Sequence, residues 1–303
     1  MLASAALLAA LLAAQPPLFE RGAEAFAAGE FAQAEKLLAQ AVKQQPRSFE
    51  ARFLLGATLV QLNRTEAAIE QLRAAHQLNP RHPDALKLLA AQYMTKRDFP
   101  SAIALLKPAV AAPAADEEMY LLLVEAALTA GDTEGSFALS QQAVKRFPNS
   151  PQVNCWMGFQ LQFSGRYDEA RAFLEKALRV APDYPATYYL LADVLLKQQK
   201  LSEAVPHFRK AIEMSPGDVE ARIGLGQALA GLDRLPEAAR ELEQAARLAP
   251  DEPRVHFQLS RVYFRLGDER RAEQEAELSA KLRPAVVPLL TEVPSALRSA
   301  GPK

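Results

Sequence analysis

The sequence predicts an all-α array of antiparallel helix pairs, and three observations carry that expectation. The 303-residue chain is dominated by good helix formers, yet it holds 21 prolines, the strongest helix breaker. Seven of those prolines lie on one grid: Pro46 and Pro80 are 34 apart, and Pro148, Pro182, Pro216, Pro250 and Pro284 follow at intervals of 34 after a gap of twice that period. Small residues recur on the same grid. Length alone suggests two globular domains at roughly 150 residues each, but a fixed period of this size marks a chain built from stacked units.

The grid divides the chain into eight contiguous units, 15–48, 49–82, 83–116, 117–150, 151–184, 185–218, 219–252 and 253–286. Small residues fill the eighth position in most units, as in Gly22, Gly56, Ala90, Gly158, Ala192 and Gly226, and the twentieth, as in Ala34, Ala68, Ala102 and Ala170. The twenty-seventh is also small, as in Ala41, Ala75, Ala177 and Ala211. Large apolar residues recur at the seventh (Leu55, Leu89, Leu225) and the twenty-fourth (Leu38, Leu72, Leu174, Phe208). Apolar spacing of three and four residues marks one face of each of two helices per unit. The small positions let those two helices approach closely. At the fifteenth position six units carry Gly29, Asn63, Gly131, Gly165, Asp233 or Gly267, residues that tolerate the left-handed conformation ending a helix. The turn within each pair is expected there, and the grid proline stops the second helix. Pro108 is expected to interrupt the second helix of the third unit, and Ser140 replaces the large residue of the fourth.

These residues resemble the tetratricopeptide repeat (TPR) family. Tyr188, Leu225-Gly226, Tyr263, Ala204, Phe208, Ala211 and Pro216 stand at matching positions of its pattern. The resemblance spans 15–286 and implies a right-handed α-solenoid superhelix of eight helix pairs. It further implies a groove, lined by the first helices, that binds a peptide or a partner's helix.

Beyond the array, residues 2–14 form an apolar run before Gln15-Pro16-Pro17, with the length of a signal-peptide core and small residues before a cleavage point after Ala14. A signal peptide over 1–14 implies a periplasmic or secreted protein. No Lys or Arg precedes the run, and an uncleaved capping helix, leaving the protein cytoplasmic, is the alternative. Residues 287–303, with Val287, Leu289 and Leu290, are expected to cap the last unit and end in a tail.

Composition excludes several function classes. Net charge is -1, which gives no general attraction to nucleic acid. The arginines of the eighth unit are interleaved with Asp268, Glu269, Glu273, Glu275 and Glu277, a mixed-charge helix surface. One cysteine, Cys155, excludes an intramolecular disulfide and a cysteine zinc site; beside Trp156 in an apolar helix it reads as an inert packed thiol. His76, His82, His207 and His256 fall at different repeat positions without metal-ligand spacing and are expected at the surface or rim. Gly224-Leu225-Gly226 lacks the third glycine and the preceding strand of a dinucleotide site and reads as repeat packing. No catalytic motif, cofactor, metal or later membrane span is expected.

What remains is a binding surface. In the family the second, fifth, ninth, twelfth and thirteenth positions face the groove. On that basis the candidate protein-binding residues are Phe19, Phe53, Lys87, Leu121, Phe159, Tyr189, Asp193, Gln227, Phe257 and Arg261. The lining is mostly aromatic and aliphatic, and no Asn accompanies Lys87 to form the family's carboxylate grip. An apolar peptide or helix is the expected ligand, with Phe53, Phe159, Tyr189 and Phe257 as anchors. The same rings also suit packing between adjacent first helices. The expected function is a non-enzymatic protein-interaction scaffold, in a bacterial envelope assembly or secretion apparatus. The alternative is a regulatory or substrate-recruiting subunit of an enzyme complex such as a glycosyltransferase.

Overall fold

The computed structural model describes residues 17–113 and 115–282; the signal-peptide and C-terminal cap expectations concern residues outside these. Sixteen helices follow one another in the described residues. The first helices of the pairs are α1 (Leu18–Ala27), α3 (Phe49–Gln61), α5 (Pro83–Thr95), α7 (Glu117–Thr129), α9 (Pro151–Phe163), α11 (Pro185–Lys197), α13 (Val219–Gly231) and α15 (Pro253–Arg265). The second helices are α2 (Phe31–Gln44), α4 (Thr65–Leu78), α6 (Phe99–Val110), α8 (Thr133–Arg146), α10 (Tyr167–Val180), α12 (Leu201–Met214), α14 (Leu235–Leu248) and α16 (Glu269–Leu282).

The chain divides into two compact units between Ser136 and Phe137. In the first, each of α1 to α6 packs on the helix that follows it, and α1, α3, α5 and α7 also touch in succession. In the second, α9 to α16 pack the same way, with α9, α11, α13 and α15 in succession. The backbones of successive second helices stay farther apart and meet only through long side chains, as Arg171 with Glu203 at 3.3 Å and Arg209 with Glu237 at 3.1 Å. First helices therefore form the tighter layer, the inner side of each unit, and second helices cover it from outside.

Close approach within a pair rests on glycine where the pattern placed it. A Cβ added to Gly22, Gly56 or Gly158 would lie 2.7 Å from the Cγ of Leu38, Leu72 or Leu174, the large residue of the same pair. At Gly226 the distance to Leu242 Cγ is 2.5 Å.

All six left-handed turn residues appear with positive φ, from 55° at Asn63 to 89° at Gly131. The other two turns use the same conformation with less suitable residues, Arg97 and Gln199, each at φ 60°. Register overrides residue preference: the amide after each turn residue bonds back into the first helix, as Asp98 to Tyr93 at 2.8 Å and Lys200 to Leu195 at 2.9 Å. Left-handed backbone costs an ordinary L-residue roughly 1–2 kcal/mol, and glycine's extra freedom returns roughly 0.5–1 of that. Arg97→Gly and Gln199→Gly are each expected to stabilise by about 0.5–1 kcal/mol, read as a raised denaturation midpoint with unchanged slope.

The fourth position of the repeat carries a tether that residue type conceals. Arg52, Asn154, Tyr188, Arg222 and His256 each meet the carbonyl of the grid proline six residues earlier, at 2.7, 2.9, 2.9, 3.0 and 2.8 Å. Three of them also reach the second helix of their own pair, Arg52 to Gln71, Arg222 to Glu241 and His256 to Glu275. The linker carbonyl, which ends a helix and lacks a helical partner, is thereby satisfied.

Two expectations are corrected here. Pro108 does not interrupt its helix: α6 continues to Val110. Proline removes the bond to the carbonyl four residues earlier; that carbonyl belongs to Ala104, and both residues are exposed, so water serves it. Pro206 is tolerated within α12 in the same way, over an exposed Ser202. His256 is not a rim residue but 5% exposed, held between Glu275 and the Pro250 carbonyl.

Candidate functional site

The inner layer presents different chemistry in the two units. In the first unit Phe19 and Phe53 are half-buried and pack against the apolar core around Leu38, Leu55 and Leu72. The Phe53 ring stacks on Phe49 at 5.7 Å and lies 5.3 Å from His82, which caps α5. It thus fills the seam between α3 and α5 while keeping one side towards the inner face. Lys87 is held by Glu118, Asp116 and Asp84 at 2.8, 3.0 and 3.4 Å. Burial disfavours its charge, but the bonds from Glu118 and Asp116 outweigh that and hold its pKa above the ordinary lysine value. This ammonium ties α5 to the start of α7 and is occupied by its own carboxylates. Leu121 is buried.

In the second unit Phe159 is 3% exposed, set edge-on to Trp156 at 5.9 Å and to Phe163 at 5.0 Å. Phe163, one turn later, is 54% exposed. Tyr189 is half-buried, its ring 6.4 Å from Phe208. Burial raises its pKa, and the carboxylates of Asp193, Glu220 and Asp218 raise it further against the opposing Arg254. Gln227 is half-buried. At the end of this layer Phe257 is 39% exposed under the Arg261 guanidinium, 5.8 Å from its ring centre, and Phe264 is 70% exposed. Among the candidates, Asp193 is the one charged group set deep in this layer. Gln162 on α9 donates to its carboxylate at 2.5 Å.

Gln162 and Phe264 stand at the twelfth, groove-facing position of the family pattern, whereas Phe163, at the thirteenth, was not singled out from the sequence. The positions themselves were legible; which of their side chains stay exposed depends on the next first helix and was not.

Burial raises the Asp193 pKa, while Lys197 and the Gln162 bond pull it the other way. A carboxyl whose folded pKa lies above its unfolded value favours the protonated form. Its stabilising contribution is complete below the unfolded pKa and is lost as pH rises through the folded one. Asp193→Asn is therefore expected to melt above the wild type at neutral pH and to match it in acid, measured by melting curves across pH. A lower melting point at neutral pH would show the charge engaged in a stabilising contact.

Cys155 is fully buried with its Sγ 3.1 Å from Thr187 Oγ1, and burial pushes its pKa up to about 12; such a thiol does not ionise near neutrality. Among the described residues, no His, Cys, Asp or Glu cluster converges with metal-ligand geometry, and no helix is long and apolar enough to cross a membrane.

Comparison with known proteins agrees with this architecture. Tetratricopeptide repeat models match residues 25–91, 59–126 and 195–256, a second such model matches 149–217 and a third 253–286. No curated protein sequence matches the chain. Among solved structures, residues 41 to the end of MamA from Desulfovibrio magneticus RS-1 align at 24% identity and a TM-score of 0.50, over 55% of this chain and 94% of that one. The APC/C hetero-tetramer Cut9–Hcn1 aligns at 14% identity and a TM-score of 0.66, over 85% of this chain and 51% of that one. Both show the shared fold. With the first of these models alone matching more than half of its length, the chain belongs to the tetratricopeptide repeat family.

Proposed function

We propose that this chain is a non-enzymatic protein-interaction scaffold that binds an apolar peptide or helix on the inner face of its first helices. The observation that carries the reading is the exposure of Phe163, Phe257 and Phe264 on the layer of first helices. Single exposed apolar residues need no explanation, but three large rings at groove positions of one unit are the anchors a peptide interface uses. Burying each ring is worth about 1.5–3 kcal/mol.

The binding surface is tested by replacing Phe163 and Phe264 with Ser. Both are exposed, so the fold is expected to hold, while capture of partners from the native host falls sharply relative to wild type. Unchanged capture by a folded double variant would remove these rings from the interface. In the triple replacement of Phe53, Phe159 and Tyr189 by Ala, the buried Phe159 is expected to cost stability as well as binding.

The setting we propose is a bacterial envelope, where the scaffold helps to assemble a secretion or surface apparatus. Its support is the apolar stretch 2–14 ahead of the repeats, with the preference for Arg over Lys and the abundance of Ala that suggest a GC-rich bacterial genome. N-terminal sequencing of the protein from its host tests it: a chain starting at Gln15 fits export, and a retained Met1 contradicts it.

A further inference from the structure

We propose that the inner face of the second unit contains a receptor for one cationic side chain, built from Asp193 on α11 and Gln162 on α9, so that the bound peptide carries a Lys or Arg flanked by apolar residues. This rests on the reading that the inner face binds peptide and adds the charge it selects.

The Gln162 amide donates its Nε2 hydrogen to Asp193 Oδ2. With Asp193 ionised that bond fixes the amide, because the flipped form would set oxygen against oxygen. Gln162 Oε1 is left buried with no hydrogen-bond partner. Asp193 forms no ion pair among the described residues; Lys197, one turn on, attracts it without forming one. The result is a carboxylate and an orphaned acceptor side by side. An ammonium or guanidinium, which brings donors only, completes both.

The neighbouring charge has the same sign. Tyr189 lies in the field of Asp193, Glu220 and Asp218. Arg254, the cation opposing them, already bonds Glu220 at 3.0 Å and Glu252 at 2.8 Å. Phe163, next to Gln162 in sequence and exposed, offers apolar contact for residues flanking the cation. The pairing belongs to one place in the array: Glu125 is the other carboxylate at the ninth position, but it follows Met94 rather than a glutamine at the preceding twelfth, and the remaining units carry Ala23, Ala57, Ala91, Phe159, Gln227 or Arg261.

The test pans a phage-displayed random 12-residue library against the full chain and against Asp193→Asn, which retains an acceptor for Gln162. Wild type is expected to enrich clones sharing a Lys or Arg among apolar residues, and the variant to lose the basic preference while keeping the apolar one. For a synthesised clone, changing its Lys to Met or Asp193 to Asn should each weaken binding about 10- to 100-fold, as for a hydrogen bond to a charged group, and both together no further. Clones without a basic residue, or equal binding by Asp193→Asn, overturn the cation receptor and leave peptide binding intact. No enrichment over the Phe163→Ser/Phe264→Ser variant overturns the peptide-binding reading beneath it. A photoreactive Asp193-side probe that cross-links only to residues 283–303 of this chain, or to a second copy, in the presence of peptide also overturns the proposal.

Discussion

Phe208→Ala is expected to destabilise the second unit by about 3–5 kcal/mol, the usual loss for emptying a buried aromatic site. Phe208 is the largest fully buried side chain described. It sits on α12 beside Tyr189 of α11, and its ring meets α13 at Gly224, where an added Cβ would fall 2.3 Å from Cζ. This is a local exchange of volume. Where most units carry Leu at the twenty-fourth position this one carries Phe, and where half of the units carry Leu at the sixth the next carries Gly224. Gly224→Leu, which restores the common residue, is therefore expected to destabilise rather than help, because two large groups then claim one space. Phe208→Leu should rescue it. In a repeat array each unit leans only on its neighbours, so lost hydrogen-exchange protection should centre on α11 to α13. Uniform loss across the chain, or a stabilising Gly224→Leu, would contradict this packing.

The second large effect concerns the contact inside a pair. Leu174→Ala should cost about 2–5 kcal/mol, since Leu174 is fully buried against Gly158. Gly158→Val should cost about 1–3 kcal/mol by overpacking: its first carbon alone would lie 2.7 Å from Leu174 Cγ and 3.3 Å from the Ala170 carbonyl. The double variant should lose less than the sum, because the Val methyl groups enter the space Leu174 leaves. Residues in contact typically couple by 0.5–3 kcal/mol, and denaturant midpoints for the four forms measure that coupling. Strict additivity would mean that Gly158 and Leu174 do not share a space.

These two cases also show how much the sequence disclosed. The Gly158–Leu174 contact was legible because two positions of one period imply two facing helices. The left-handed turns at Gly29 and Asn63 were legible from residue type, whereas those at Arg97 and Gln199 follow only from register. The proline-carbonyl tether escaped notice because Arg52, Asn154, Tyr188 and His256 share reach rather than type. Pro108 misled because what decides a proline's cost is whether the freed carbonyl meets water, and exposure is a property of packing. At the candidate site, the groove positions were readable but their occupancy was not. Lys87 is spent on carboxylates 29 and 31 residues downstream, and Gln162 meets Asp193 across 31 residues. Only the register between successive first helices brings those pairs together.

The central claim, that partners dock on the inner layer of first helices, is tested most directly by photo-cross-linking in the native host. A photoreactive amino acid is placed singly at Phe163, Lys197 and Phe264 on the first helices, and at Arg179 and Arg240 on exposed faces of α10 and α14. Discrete adducts to a partner protein from the first set, with little from the second, are the expected result. Adducts arising from Arg179 and Arg240 while the inner positions stay silent would contradict it.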